Sequence, residues 1–332
     1  MSKLSSLTLV LPHLLVSLQD DAGAELPQSR WIAELAGKGQ LERRWRAESP
    51  QQARVRPWQR GLLETLAIAE EGAPSAPLCA ASLSWPSSVQ DWLHVEPIHL
   101  EAGLNEVTLL RLPPEAALTT EERDALTPLL REHLEPEGLI VRPYAEREWL
   151  IGSPALLAAQ TVTPEFALRA DWHSALPQGA DAPRLRRLMT ELQMLLHEHP
   201  VNVSRAKRGL PAINAVWFWG NGRVNDSRSA SATCMGGHAY LRGLCAANGW
   251  VPPDDPDSLD AALAAADAHR PLVYVADCRS RDGADWLRAS VEVLRRGRIG
   301  KLIVIVDEWR ICASRWSLRR FWRRAAPFAT WA

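Results

Sequence analysis

The sequence predicts an α/β protein with a mostly parallel sheet, joined to a β-rich block. Three observations predict it. From Ile213 onward, short apolar runs alternate with amphipathic stretches, the order that sets parallel strands between helices. Between Leu78 and Ile151, short runs rich in Val, Ile, Leu and Trp are separated by charged turns, which reads as hairpin pairing. The chain has 332 residues, enough for two domains or one large α/β domain with an insertion.

In chain order, Leu7–Leu15 reads as a buried first strand rather than a secretory signal, because no small-residue cleavage site follows it. The stretch Gly23–Arg60 is polar and helical in tendency, and Trp31, Leu35, Leu41 and Trp45 could share one apolar face. A helix is expected from Trp58 to Glu71, then a Pro/Ala/Ser loop to Pro77. Leu78–Trp85, Trp92–Leu100 and Glu106–Leu112 read as strands. Thr119, Thr120 and the acids after them open an amphipathic helix that runs to Leu134. Leu139–Pro143 and Glu148–Ile151 flank a charged turn and predict a hairpin. After the Pro177–Pro183 loop, Leu185, Leu188, Leu192, Leu195 and Leu196 give Arg184–Glu198 one apolar side. Ala212–Trp219 is a short strand, and Asn221–Gly236 is an unusually long small-residue loop. Helices at Gly237–Asn248, Ser258–His269 and Gly283–Arg295 alternate with strands at Pro271–Cys278 and Lys301–Asp307. A last helix is expected over Trp316–Arg324, with Leu318, Phe321 and Trp322 docked and the arginines solvated.

Composition narrows the class. The chain is 46% apolar and 23% charged with a net charge of -1, so it has a sizeable core and no global field to draw in nucleic acid. No apolar run is long enough to span a bilayer. Five scattered cysteines without CxxC spacing suit reduced thiols in a cytoplasmic protein. Fifteen tryptophans suit core packing, since their rings bury much area.

The segment Glu191–Gly222, ELQMLLHEHPVNVSRAKRGLPAINAVWFWGNG, concentrates the chemistry-bearing residues. His197 and His199 are two apart, a poor spacing for shared metal ligation on a helix; they read as helix-end histidines, with a substrate or metal ligand as the alternatives. Asn202, Arg205, Lys207 and Arg208 beside Gly209 either hold a phosphate or carboxylate or form a solvated turn. Asn214, Trp217, Trp219, Gly220 and Gly222 lie along a strand and its C-terminal end, where α/β sheets put ligands. Asp277 and Asp282 follow a strand and are candidate Mg²⁺ ligands or helix caps. KLIVIVDE at Lys301–Glu308 looks like half of a nucleotide site, but the phosphate-cradling GxxxxGK[ST] loop is missing.

The same segment resembles the proteobacterial RpfE-type regulatory family, a phosphoglycerate-mutase-like group. LTLVLPHLL at the N-terminus, VEPIHL at Val95–Leu100, ALPQGAD at Ala175–Asp181 and WSLRRFWRR at Trp316–Arg324 carry the resemblance along nearly the whole chain. The HPVN…R…G…PAIN…G pattern is also similar to archaeal cofactor-independent phosphoglycerate mutases of the alkaline-phosphatase superfamily. That resemblance implies a three-layer α/β core, expected over 1–75 and 200–332, carrying an inserted subdomain over 76–199.

The enzymes hold two metal ions around a Ser or Thr nucleophile. Their first strand ends in Asp-Gly, where this chain has Pro12 and His13. Where their late Asp-His-Ser/Thr signature follows a strand, here Leu302–Val306 runs into Asp307-Glu308-Trp309-Arg310 instead, and Asp171-Trp172-His173-Ser174 stands alone in the wrong place. The expectation is therefore a cytoplasmic, non-catalytic, regulatory relative that needs no cofactor. It would bind a small anionic ligand or a protein, with no specific nucleic-acid binding. The alternatives are a divalent-metal phosphotransferase or phosphatase, and an interaction protein using the C-terminal Arg/Trp helix.

Overall fold

A computed structural model of the chain describes residues 4–12, 14, 29–82, 88–103, 107–110, 112, 116–145, 147–225, 232–251, 253–267, 269–276, 283–327 and 330–331. His13, Glu106, Arg111, Asp277, Cys278 and Asp282 lie outside the described residues. The chain forms two compact units. One comprises Met1–Arg46, Pro57–Ala69 and Asp226–Ala332, the other Ala47–Arg56 and Glu70–Asn225.

The first unit holds a six-stranded sheet in the order Thr233–Met235, Leu272–Val275, Leu4–Val10, Ile299–Val306, Trp309–Ser314, Gln40–Arg43. The first four strands are parallel, with Leu7 opposite Leu272 on one side and Leu302 on the other. The last two are antiparallel. Leu7, Thr8, Leu9 and Val10 are all buried, so the central strand is covered on both faces, as parallel sheets require. Leu7, Leu9, Leu302, Val304 and Val306 share one core cluster with Ile32 and Leu35 of helix Arg30–Lys38 and with Leu287, Val291 and Leu294 of helix Gly283–Arg295. Ile305 points the other way by the two-residue period of a strand, and it meets helix Pro57–Leu66 near Gly61. Helices thus cover both faces of one sheet, the three layers expected of the core.

Several local expectations change here. Gly23–Arg60 is not one helical face: Leu41 lies in the edge strand and Trp45 in the loop after it. Helix Pro57–Leu66 stops at Ala67, which has φ +57°, short of the expected Glu71. A second strand, Trp309–Ser314, folds back on Ile299–Val306 through Asp307, which takes the left-handed conformation at φ +46°. The last helix is one turn, Arg315–Leu318; Leu318 docks, while Phe321 and Trp322 are 88% and 68% exposed. The chain beyond that turn crosses helix Arg30–Lys38 at Gly37, where a Cβ would lie 2.0 Å from the Arg324 carbonyl oxygen.

The second unit is built on an antiparallel sheet. Strand Asp91–Ala102 is long enough to pair Glu148–Ser153 with its first half, Ala215–Trp219 with its middle and Val107–Leu110 with its end. Ile140–Tyr144 completes the expected hairpin with Glu148–Ser153. Because Ala215–Trp219 pairs with His94–Ile98, it belongs to this unit, which therefore runs on to Asn225 rather than ending near 199. The described part of the expected strand Leu78–Trp85 is not extended: Ser75–Ala81 is a helix, favoured by its alanines and entered from the extended Pro74, and Leu83, Ser84 and Trp85 lie outside the described residues. Helices Thr120–Leu134 and Ala182–His197 bury Leu126, Leu130, Leu134, Leu185, Leu188, Leu192 and Leu196 against the sheet. Leu195, expected on that apolar side, is 45% exposed.

Thr119 caps helix Thr120–Leu134 in a reciprocal box. Its hydroxyl accepts the Glu122 N–H, and the Glu122 carboxylate accepts the Thr119 N–H, each at 3.2 Å. Thr119→Ala is expected to cost about 1 kcal/mol in urea unfolding, with an unchanged m-value.

Candidate functional site

Helix Ala182–His197 ends with His197 exposed in its last turn. Pro200 opens a second helix, Pro200–Lys207, as its first helical residue. His199 is the N-cap, and its imidazole accepts the Val201 N–H at 3.2 Å. Burial holds this imidazole below its ordinary pKa of 6.5. The folded state therefore binds fewer protons here than the unfolded chain. The stability His199 contributes is present above about pH 6.5 and is lost as pH falls through the lower folded value. His199→Asn keeps a cap and should flatten the fall in urea midpoint between about pH 7 and pH 5.

The remaining candidates are tied into the second unit itself. The Asn202 amide donates to the Leu196 and Ile213 carbonyls and accepts the Ile213 N–H, all at 2.8 Å. Arg205 is 0% exposed. It donates to Glu122 at 2.7 Å, to the Pro211 carbonyl at 2.8 Å and to the Ala116 carbonyl. Arg208 takes the other Glu122 oxygen. Asn214 exchanges two 2.8 Å bonds with the Leu100 backbone. Trp217 donates to the Val162 carbonyl at 2.8 Å. At Gly220, φ +84° lets the chain turn with its N–H on the Thr161 hydroxyl at 3.1 Å. Gly222 donates to Asp91 at 3.1 Å. Burial pushes the Asp91 carboxyl up from its ordinary value, and the Leu157, Gly222 and Trp92 N–H groups pull against that rise. Asn202, Arg205 and Asn214 thus spend their polar atoms in joining helix, loop and strand.

Sequence reasoning missed a buried polar network on the same strands. Ser75 opens helix Ser75–Ala81, and its hydroxyl lies 3.0 Å from His94 Nε2. His94 Nδ1 is 3.6 Å from Glu148. Strand register puts Trp219 opposite His94, and the two rings stack with centroids 4.3 Å apart and planes at 17°. Arg56 sits 4.6 Å over Trp219 and pairs with Glu96 and Glu165. Ser75, His94 and Glu148 are all buried. The hydroxyl is within hydrogen-bond reach of the imidazole, the carboxylate at 3.6 Å is beyond it, and all three side chains are closed off from solvent. The readable signal was His94-x-Glu96, two polar residues two apart on one face of an apolar strand. Ser75 carried no signal, since its helix read as a loop. Among the described residues, no group of three or more His, Cys, Asp or Glu side chains is placed to hold a metal ion.

The first unit carries an open groove of about 830 Å³. Gln40 and Leu41 of the edge strand line it, together with Lys301, Ser314, Ser317, Arg320 and Arg323. Cys312 also lines it and is a free thiol, as are Cys79, Cys234 and Cys245. Among the described residues, no helix is long and apolar enough to cross a membrane.

No family model matches the chain. Among curated proteins, it is 34% identical over 87 residues to the 2,3-bisphosphoglycerate-independent phosphoglycerate mutase of Methanothrix thermoacetophila, covering 24% of this chain and 22% of that one. It is 28% identical over 111 residues to the probable enzyme of the same name from Geobacter sulfurreducens, covering 28% of each. The chain spans about a quarter of the length of the curated relatives it matches. A solved cofactor-independent phosphoglycerate mutase from Thermoplasma acidophilum aligns at 16% identity and TM-score 0.39, over 95% of this chain and 90% of that one. A Pyrococcus horikoshii protein aligns at 16% identity and TM-score 0.44, over 95% and 88%. Part of the chain is thus distantly homologous to cofactor-independent phosphoglycerate mutases.

Proposed function

We propose that this chain is a phosphoglycerate mutase-like protein of RpfE type that regulates by binding an anionic ligand or protein in the cytoplasm, without phosphoryl transfer. One observation carries the reading. Arg205, the cation best placed in the segment to clamp a phosphate, is wholly buried and neutralised by Glu122. Charge recognition then falls to the groove of the first unit, where Lys301, Arg320 and Arg323 converge. Pro12 in place of an acid at the end of the first strand, and Glu308 in place of a histidine after Asp307, agree with it. His197, His199, Trp219 and the Gly220–Gly222 turn then serve the fold of the second unit more than a ligand.

The test is a phosphoglycerate mutase and phosphatase assay of the purified chain in Mn²⁺ or Zn²⁺, with metal analysis. No turnover and no bound metal are expected. Turnover that dies on His199→Ala or Asp277→Ala overturns the reading.

A metal-dependent phosphotransferase is the second reading, favoured by the names of the curated relatives. Its candidate residues are Asp277, Asp282, His197 and His199. Under this reading Asp277→Ala and His199→Ala each abolish a metal-dependent turnover.

A further inference from the structure

Several arginines of the first unit sit in ion pairs. Arg43 meets Glu308, Arg44 meets Glu64, Arg295 meets Glu34, Arg298 meets Asp260 and Arg310 meets Glu42. Around the groove the cations cluster without carboxylates. Lys301, Arg315, Arg319, Arg320, Arg323 and Arg324 form no ion pair with any described carboxylate. Lys301, Arg320 and Arg323 line the groove itself. Unpaired like charges repel one another, so the arrangement costs stability unless something anionic offsets it.

The same segment exposes its aromatics. Trp316 is 73% exposed, Phe321 88% and Trp322 68%. Large apolar side chains left in water beside unpaired cations mark a surface that meets a partner. Phe321 and Trp322 pack edge-to-face on each other, with centroids 5.1 Å apart, so they present a preformed pair at little ordering cost.

Gln40–Arg43 ends the sheet, and among the described residues no strand pairs with its outer edge. Gln40 and Leu41 of this strand form one wall of the groove. An extended segment can bond to such an edge while its side chains enter a neighbouring groove. A groove of about 830 Å³ is also far larger than one phosphate or headgroup needs.

We infer that this groove receives an extended acidic segment of a partner protein, its carboxylates meeting Lys301, Arg320 and Arg323 and its apolar side chains meeting Trp316, Phe321 and Trp322. The inference rests on the reading that the chain acts by binding, and it names the partner's chemistry.

The test uses the full chain and a short fluorescein-labelled peptide alternating glutamate with valine, followed by anisotropy. The peptide binds, and its affinity falls several-fold as salt rises from about 50 to about 300 mM. The double substitution Arg320→Glu/Arg323→Glu weakens it by about tenfold or more, and Trp316→Ala/Trp322→Ala by about fivefold. All four side chains are partly or well exposed, so both variants keep the parent's circular dichroism and thermal midpoint. Lysine–valine peptide is not bound. Failure of the glutamate peptide to bind overturns the inference, as does equal binding by the charge-reversed variant. Preferential binding of phosphatidylserine vesicles or a single-stranded RNA through the same arginines also overturns it. A blank mutase assay beside absent peptide binding removes this inference alone, whereas metal-dependent turnover removes the binding reading beneath it.

Discussion

Arg205→Met is expected to lower the unfolding free energy by about 3–5 kcal/mol, read from the urea midpoint at constant m-value. Arg205 is 0% exposed, and its guanidinium closes three contacts: Glu122, the Ala116 carbonyl and the Pro211 carbonyl. Removing it takes one donor from the Glu122 carboxylate and the guanidinium bonds from two carbonyls, and a methionine cannot replace any of these bonds. Arg208 still reaches one Glu122 oxygen, but from a half-exposed position where solvent weakens the pair. The double substitution Arg205→Met/Glu122→Gln should recover part of the loss, because it removes the stranded charge. Lys207→Ala, by contrast, changes an exposed residue and should move the midpoint by less than about 0.5 kcal/mol. Similar losses of ligand binding and of stability at Arg205 would return this residue to a dual role. A ligand effect without a stability effect would contradict its burial.

Periodicity and capping made much of the scaffold legible. The reciprocal box at Thr119 and Glu122 was visible as Thr-x-x-Glu before an apolar repeat, and the alternation after Ile213 announced the parallel sheet. What failed was whatever depended on partners distant in sequence. Ala215–Trp219 reads as a core strand of either unit, and only its pairing with His94–Ile98 decides which. Trp309–Ser314 was invisible because its turn rests on Asp307 in a left-handed conformation that no glycine advertises. Phe321 and Trp322 read as docked because aromatic residues normally are, and a one-turn helix cannot carry them to the core. The polar segment at Asn202, Arg205 and Asn214 looked like a ligand wall because side-chain amides and guanidinium serve backbone carbonyls and ligands with the same atoms. Burial, which separates the two uses, is a property of the fold and not of the residue pattern.

Arg56→Met should destabilise the second unit by a similar amount, about 3–5 kcal/mol. Arg56 is buried beside Glu96 and Glu165, and it lies over the face of Trp219. Burial opposes its charge, but Glu165, Glu96 and Glu148 more than offset that, so its pKa stands above the ordinary arginine value. Without the guanidinium, Glu96 and Glu165 lose the cation they share, and Glu165 Oε2 already has no hydrogen-bond partner. The deficit is read from the urea midpoint at constant m-value. The double substitution Arg56→Met/Glu165→Gln should recover part of it, because it removes one stranded charge.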